Sequence, residues 1–258
     1  MQKNKTNKMY TARVKNIPVF RGCDYDCVYC SFKRLVQLNK KCPQCAVFEP
    51  HAHLEALQRT PPKTKKDEFI TVGLSSDVSF MEGEDFDKVL DYCRKWGDRT
   101  FLIQSKNPEY FLQFAHRIPD NALLGCTIET NMEQIWTPGT APRFINNMNY
   151  RSISKAPIPE KRYAAMLKLD CRKAITIEPI LDLNIKTNLN IKTMEDWICR
   201  IKPEILYIGY CNDGKNGARL RLPEPKLQKT YALIDRLRRN TYGTEVRIKT
   251  MRPAWWEK

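Results

Sequence analysis

Short apolar runs separated by longer amphipathic stretches limit the fold of this chain more than any other feature. The runs lie at residues 17–20, 69–72, 100–103, 123–128, 174–177, 205–208 and 245–248. Most are bounded by polar, Gly or Pro residues, so they are expected to be strands buried on both faces. Helical spacing fills the intervals at residues 85–96, 108–117, 160–168, 193–200 and 226–240. In the first of these, Phe86, Val89, Leu90 and Cys93 fall at i, i+3, i+4 and i+7. Strand and helix in alternation along most of the chain imply βαβ units and a parallel sheet. Six or seven strands suit an open or partly closed (β/α) barrel, with a doubly wound sheet as the alternative. In either architecture ligands bind at the C-terminal ends of the strands.

Charge narrows the partners. The 258 residues carry 44 Lys and Arg against 29 Asp and Glu, a formal charge of +15. A field of that sign favours polyanions such as nucleic acid or phosphorylated substrates, or an anionic membrane surface. No apolar stretch approaches the roughly 20 residues of a membrane span, and the basic start of the chain does not resemble a secretory signal. A cytoplasmic location is therefore expected. In a reducing compartment, ten cysteines at motif spacing point to metal or redox chemistry rather than disulfides. Residues 131–156 form a Pro-, Asn- and Met-rich stretch of weak periodicity, as in a lid, a binding loop or a disordered insert.

Cys23, Cys27 and Cys30 follow the first expected strand with spacing x3 and x2. Three thiolates are one short of a fully cysteine-ligated [4Fe–4S] cluster and one short of a structural zinc site, so a small molecule could occupy the remaining position. The alternative is a zinc or redox-inactive cysteine loop. This motif, with aromatic Tyr29 just before its last cysteine and after the first strand of a parallel barrel, resembles that of the radical S-adenosylmethionine enzymes. Within that superfamily the chain is most similar to phage and prokaryotic proteins related to spore photoproduct lyase. The segments Phe48-Glu-Pro-His-Ala-His53, Gly73-Leu-Ser-Ser-Asp-Val-Ser-Phe80, Ile103-Gln-Ser-Lys-Asn-Pro108, Ile177-Glu-Pro-Ile180 and Ile208-Gly-Tyr-Cys-Asn212 support it in order.

The resemblance implies an α/β fold, a single-domain partial parallel (β/α)6-type barrel. It also implies a [4Fe–4S] cluster on Cys23, Cys27 and Cys30. S-adenosylmethionine would chelate the fourth iron and, on reduction, yield a 5′-deoxyadenosyl radical that abstracts hydrogen from a substrate. Tyr29 would lie near the adenine. The family turn that holds the methionine amino group is replaced here by Gly73-Leu-Ser75-Ser76-Asp77, whose side chains could accept from an ammonium. The expected organisation is a basic extension over residues 1–16, the barrel over 17–225 with a Cys/His insert at 40–55, and a basic helix and strand over 226–258.

Other polar residues close the expected strands. Lys106 could pair with the cofactor carboxylate, Glu129 or Asn131 could bind the ribose, and Glu178 could bind cofactor or substrate. Each has a structural alternative as a cap or ion pair. Cys211 could donate a hydrogen atom to a product radical, as in the lyase. Cys42 and Cys45, followed by His51 and His53, offer two thiolates and two imidazoles for a Zn2+ ion, although two histidines one residue apart are tight for one metal. The basic residues after 225, with Trp255 and Trp256, could grip a nucleic acid, or the tryptophans could cap the barrel bottom.

The expected function is thus a radical S-adenosylmethionine enzyme acting on nucleic acid or a nucleotide in repair or modification. A reducing partner such as flavodoxin or ferredoxin would be required. The alternatives are a radical enzyme acting on a peptide or small metabolite, and a non-enzymatic nucleic-acid-binding protein stabilised by zinc or a cluster.

Overall fold

The computed structural model describes residues 10, 12–137, 146–183, 188–211 and 220–257. The chain opens with β1 (Arg13–Ile17) and a short β2 (Phe20–Arg21), then α1 (Phe32–Gln37), α2 (Pro43–Val47) and β3 (His51–Ala52). There follow β4 (Phe69–Val72), α3 (Gly83–Lys95), β5 (Phe101–Ser105) and β6 (Ala122–Thr127). Strands β7 (Gln134–Thr137) and β8 (Asn146–Asn149) precede α4 (Pro159–Lys168), β9 (Lys173–Ile177) and α5 (Asn188–Ile201). The described chain ends with β10 (Ile205–Ile208), α6 (Leu227–Asn240) and β11 (Glu245–Ile248).

Seven strands form one parallel sheet in the order β1-β4-β5-β6-β9-β10-β11. That order follows the sequence, as successive right-handed βαβ crossovers require. Side chains alternate across the strands. One face of the sheet, including Ile70, Ile103, Leu124, Ile175 and Leu206, joins the large core under the helices. In α3, Phe86, Val89, Leu90 and Cys93 are buried, and the expected stripe is the buried one. Each large apolar side chain so buried contributes about 1.5–3 kcal/mol.

The opposite face turns inward. Phe69, Leu102, Leu123, Ala174 and Tyr207 surround the fully buried Tyr10. The Tyr10 ring lies 5.6 Å from Phe69 on β4 and 4.7 Å from Tyr207 on β10. Those strands are four places apart in the sheet, so one ring reaches both only because the sheet curls. Arg247 adds to the closure, donating to the Tyr207 hydroxyl at 2.9 Å and to the Asp67 carbonyl. The result is a parallel half-barrel with Tyr10 filling its interior.

The structure departs from expectation in several places. The first strand is Arg13–Ile17, earlier than residues 17–20, because Pro18 has no amide hydrogen with which to continue the ladder. Polar side chains suit this position because β1 is an edge strand. Residues Pro108–Arg117 form a 3-10 helix rather than an α-helix. Its three-residue repeat brings both Phe111 and Phe114 onto Phe86, the first stacked and the second edge-on. The stretch expected to be a loop contains the antiparallel pair β7–β8.

Trp255 and Trp256 do not cap the barrel bottom. Their indoles donate to the carbonyls of Leu222 and Glu224, in the connection that leaves the C-terminal side of β10 and enters α6. Many of the basic residues after 225 are also engaged internally, as in Lys229–Asp182, Arg236–Glu195, Lys249–Glu178 and Arg252–Glu224. The first nine residues lie outside the described residues, as do 212–219, which include Asn212. No helix among the described residues is long and apolar enough to cross a membrane.

Candidate functional site

A cavity of about 410 Å³ opens at the C-terminal ends of the strands. Gln104 and Thr127 form part of its polar floor, with Gln104 donating to the Thr127 hydroxyl at 2.8 Å and accepting from the buried Tyr10 hydroxyl behind it. Cys23, Cys27 and Cys30 all line this cavity. The cysteine loop is held from three sides. The Cys23 amide donates to the Phe48 carbonyl at 3.3 Å, Val28 donates to Ile153, and Lys155 donates to Tyr25. Cys27 Sγ lies 3.0 Å from the Ser154 hydroxyl. Gly22 has φ +83°, and a Cβ there would fall 2.0 Å from the Glu49 carbonyl oxygen, so the close approach that starts the loop requires glycine.

Burial pushes the Cys23 and Cys27 thiols up from the ordinary thiol range, with Lys106 opposing the effect at Cys27. A bound metal cation reverses that preference, because coordination deprotonates a thiol outright.

The expected cofactor residues divide into two groups. Ser75, Lys106, Glu178 and Cys211 line the cavity together with Tyr29. Asp77 also reaches it, but its carboxylate is already satisfied. Oδ1 accepts from the Ser79 amide and hydroxyl and from Ser105, while Oδ2 accepts from the Lys106 amide at 2.6 Å. Asp77 therefore organises the strand ends rather than presenting a spare acceptor. Ser76 donates to the Gly73 carbonyl at 2.6 Å and is likewise engaged in the turn. Asn131 is half-buried and is not among the residues lining the cavity.

Glu129 sits behind the cavity wall, fully buried. One oxygen accepts from Tyr29 and Lys106, and the other from Arg162 at 2.8 Å and Tyr150 at 3.1 Å. Burial alone would raise its pKa, but the Arg162 and Lys106 charges overcome that and bring it down to about 2. Glu129 thus fixes Tyr29 and Lys106 in place. An ammonium has three donors, and Lys106 uses two on Tyr29 and Glu129, which leaves one for the cavity.

Glu178 differs from Glu129. Its Oε2 pairs with Lys249, but Oε1 is buried with no hydrogen-bond partner among the described residues. An unpaired buried carboxylate oxygen in a cavity wall calls for a donor from a ligand. The three thiols, the spare Lys106 donor and this carboxylate fit a cluster with an amino-acid-bearing ligand beside it.

Arg162, Tyr150 and Ser154 are site residues that sequence reasoning missed. Arg162 carried a detectable signal, since it falls on the same stripe of α4 as buried Pro159, Ala165 and Met166.

A second group lies beside the first. Cys42, Cys45, His51 and His53 bring one ligand atom each to within 4.8 Å of one another. No other Cys, His, Asp or Glu group of three or more draws together so tightly among the described residues. The tightness anticipated for two histidines one residue apart does not keep them apart, because alternate residues of an extended segment share a face.

The sheet order, the curl and the cavity at the strand ends form the partial parallel (β/α) barrel that the sequence led us to expect. No protein-family model and no curated protein sequence matches the chain. Solved structures do. A spore photoproduct lyase variant with a dinucleoside spore photoproduct matches with TM-score 0.57 and 11% identity, over 91% of this chain and 76% of that one. A second lyase variant, with bound AdoMet and the dinucleoside, matches with TM-score 0.57 and 11% identity, over 90% of this chain and 75% of that one. Streptococcus suis SuiB bound to precursor peptide SuiA matches with TM-score 0.51 and 9% identity, over 93% of this chain and 48% of SuiB. At such identities the likeness is one of fold.

Proposed function

We propose that the protein is a radical S-adenosylmethionine enzyme acting on nucleic acid or a nucleotide. The observation that carries this reading is the convergence of Cys23, Cys27 and Cys30 on one cavity at the C-terminal ends of a parallel half-barrel. These cysteines would hold a [4Fe–4S] cluster with one iron left for S-adenosylmethionine. When bound, the pair supplies a 5′-deoxyadenosyl radical able to abstract a hydrogen atom.

The chain's own residues bind and orient. Glu178 Oε1 and Ser75 offer acceptors to an ammonium group. Lys106 offers its remaining donor to a carboxylate, and Glu129 keeps Lys106 charged and aimed. Tyr29, held by Glu129, forms an aromatic wall for the adenine. Cys211 lines the same cavity, where its thiol would give a hydrogen atom to a product radical and be left as a thiyl for the electron donor to reduce. A low-potential carrier such as flavodoxin or ferredoxin would supply one electron to the cluster and a second, matched by a proton from solvent, to restore the Cys211 thiol.

The substrate class rests on charge. The chain carries +15 overall, and Arg34, Lys40 and Lys41 are exposed on and after α1, beside Lys33, which pairs with Asp26; Phe32 and Leu35 of α1 reach the cavity. Cations at that edge suit a phosphate backbone better than the internally paired residues after 225. The proposed limits are those expected, 1–16, 17–225 and 226–258, with one change: β1 (Arg13–Ile17) and Tyr10 belong to the barrel.

The test is formation of 5′-deoxyadenosine by the reconstituted, reduced protein. Activity is expected in the wild type and none in Cys27→Ala, and persistence in that variant would refute the mechanism. Binding to DNA or RNA that weakens steeply with salt supports the substrate class. Salt-independent binding would instead favour a peptide or metabolite.

A further inference from the structure

We propose that Cys42, Cys45, His51 and His53 hold one structural zinc ion that pins the segment carrying Cys23, Cys27 and Cys30. Zinc binds thiolate sulfur at about 2.3 Å and imidazole nitrogen at about 2.0–2.1 Å, so tetrahedral ligands stand about 3.5 Å apart for S–N pairs and about 3.3 Å for N–N pairs. In this chain Cys42 Sγ lies 3.3 Å from His51 Nε2, and Cys45 Sγ lies 3.4 Å from His51 Nε2 and 3.5 Å from His53 Nε2. These three S–N separations are those a single tetrahedral ion imposes, and all four atoms lie within 4.8 Å of one another; the two nitrogens, 2.8 Å apart, stand about 0.5 Å closer than a bound ion would set them.

The histidine pair supplies an independent reason. His51 Nδ1 lies 2.7 Å from the Glu49 carbonyl oxygen, which can only accept, so Nδ1 carries the hydrogen. His53 Nδ1 lies 3.0 Å from the Glu55 carboxylate, another acceptor. With a hydrogen on each Nδ1, the lone pair of the neutral imidazole lies on Nε2, and the two Nε2 atoms face each other at 2.8 Å. Two lone pairs at that distance repel unless a cation lies between them. Imidazoles that donate Nδ1–H to oxygen while Nε2 faces inward are arranged as metal ligands are.

Local structure explains the convergence. Pro43 starts α2 directly after Cys42, and the Cys42-Pro-Gln-Cys45 turn brings both sulfurs to one side. Phe48 caps α2 with φ +67°, which reverses the chain toward His51. A [2Fe–2S] centre with two cysteines and two histidines would place the pairs on separate irons, whereas here Cys45 approaches both histidines. Two thiolates and two imidazoles in a tetrahedron select zinc.

The consequence reaches the candidate cluster. Strand β3 pairs with β2, with Arg21 opposite His51, and Cys23 follows two residues later. Val36, Cys45 and Phe48 form a small core against which Cys23, Cys30 and Cys42 pack. A zinc ion in the four-residue site would hold that core and, through it, the spacing of the cluster cysteines.

Elemental analysis of the purified full chain tests this. About one zinc per chain is expected in the wild type and in a Cys23→Ala/Cys27→Ala/Cys30→Ala variant that binds no cluster. Because zinc is read there without iron, failure of this proposal is distinct from failure of the radical-enzyme reading. Cys42→Ala/Cys45→Ala is expected to lose the zinc. If that variant does not fold, Cys42→His provides the second arm, since it restores a ligand and keeps the metal. Cobalt loaded in place of zinc is expected to give intense visible d–d bands of a tetrahedral thiolate site. Absence of zinc from the wild type together with failure to take up cobalt would overturn the proposal, as would full zinc retention without Cys42 and Cys45.

Discussion

Glu129→Gln is the perturbation that most sharply tests how the cavity wall is held. The substitution keeps the shape and removes only the charge, which leaves Arg162, itself fully buried, without its counter-ion. Removing one partner of a buried ion pair destabilises by about 3–5 kcal/mol. The pKa points the same way. A carboxyl brought from 4.5 to about 2 on folding contributes about 3 kcal/mol, present above pH 4.5 and lost as pH falls toward 2. For a chain of this size that is a fall in melting temperature of about 6–12 °C. Urea unfolding of the cluster-free protein at pH 7 and across the acid range is the assay. Wild-type stability should decline between pH 4.5 and 2 more steeply than that of the variant. Arg162→Met added to Glu129→Gln should recover part of the loss, because it removes the uncompensated cation. A single variant within about 1 kcal/mol of wild type, with an unchanged acid profile, would refute the account of this network.

Three further outcomes are expected. Tyr10→Ala should destabilise by about 3–5 kcal/mol in urea unfolding, since it empties the barrel interior, whereas Tyr10→Phe should lose only about 1 kcal/mol with its hydroxyl partners. Gly22→Ala should strain the chain by about 1–3 kcal/mol and abolish hydrogen-exchange protection at the Cys23 amide, because its Cβ would overlap Glu49. Glu178→Gln should keep its iron yet bind S-adenosylmethionine about 10–100-fold more weakly by calorimetry, and unchanged affinity would remove Glu178 from the cofactor site.

The fold was largely legible because its signals are local. Apolar runs and helical stripes each lie within a dozen residues, and most elements fall within a few residues of expectation. The first strand was harder to see. Arg13–Ile17 is an edge strand with little apolar pattern, and its pairing partner lies more than 50 residues away. Tyr10 fell within the expected basic extension because nothing local shows that it fills a curled sheet. At the site, residue types were legible and directions were not. Asp77 and Glu129 stood at the right strand ends, yet partners distant in sequence occupy the Asp77 oxygens and hold Glu129 behind the cavity wall. The histidine pair looked too tight until extended backbone placed both rings on one face.

The account's central claim is that Cys23, Cys27 and Cys30 leave one iron of a four-iron cluster open to S-adenosylmethionine. Electron paramagnetic resonance of the anaerobic, dithionite-reduced protein, with iron and sulfide content measured on the same sample, tests it most directly. About four irons per chain, and a reduced-cluster spectrum that changes when S-adenosylmethionine is added, are the predicted results. A chain that holds no cluster after reconstitution, or a cluster whose spectrum ignores S-adenosylmethionine, would contradict the claim.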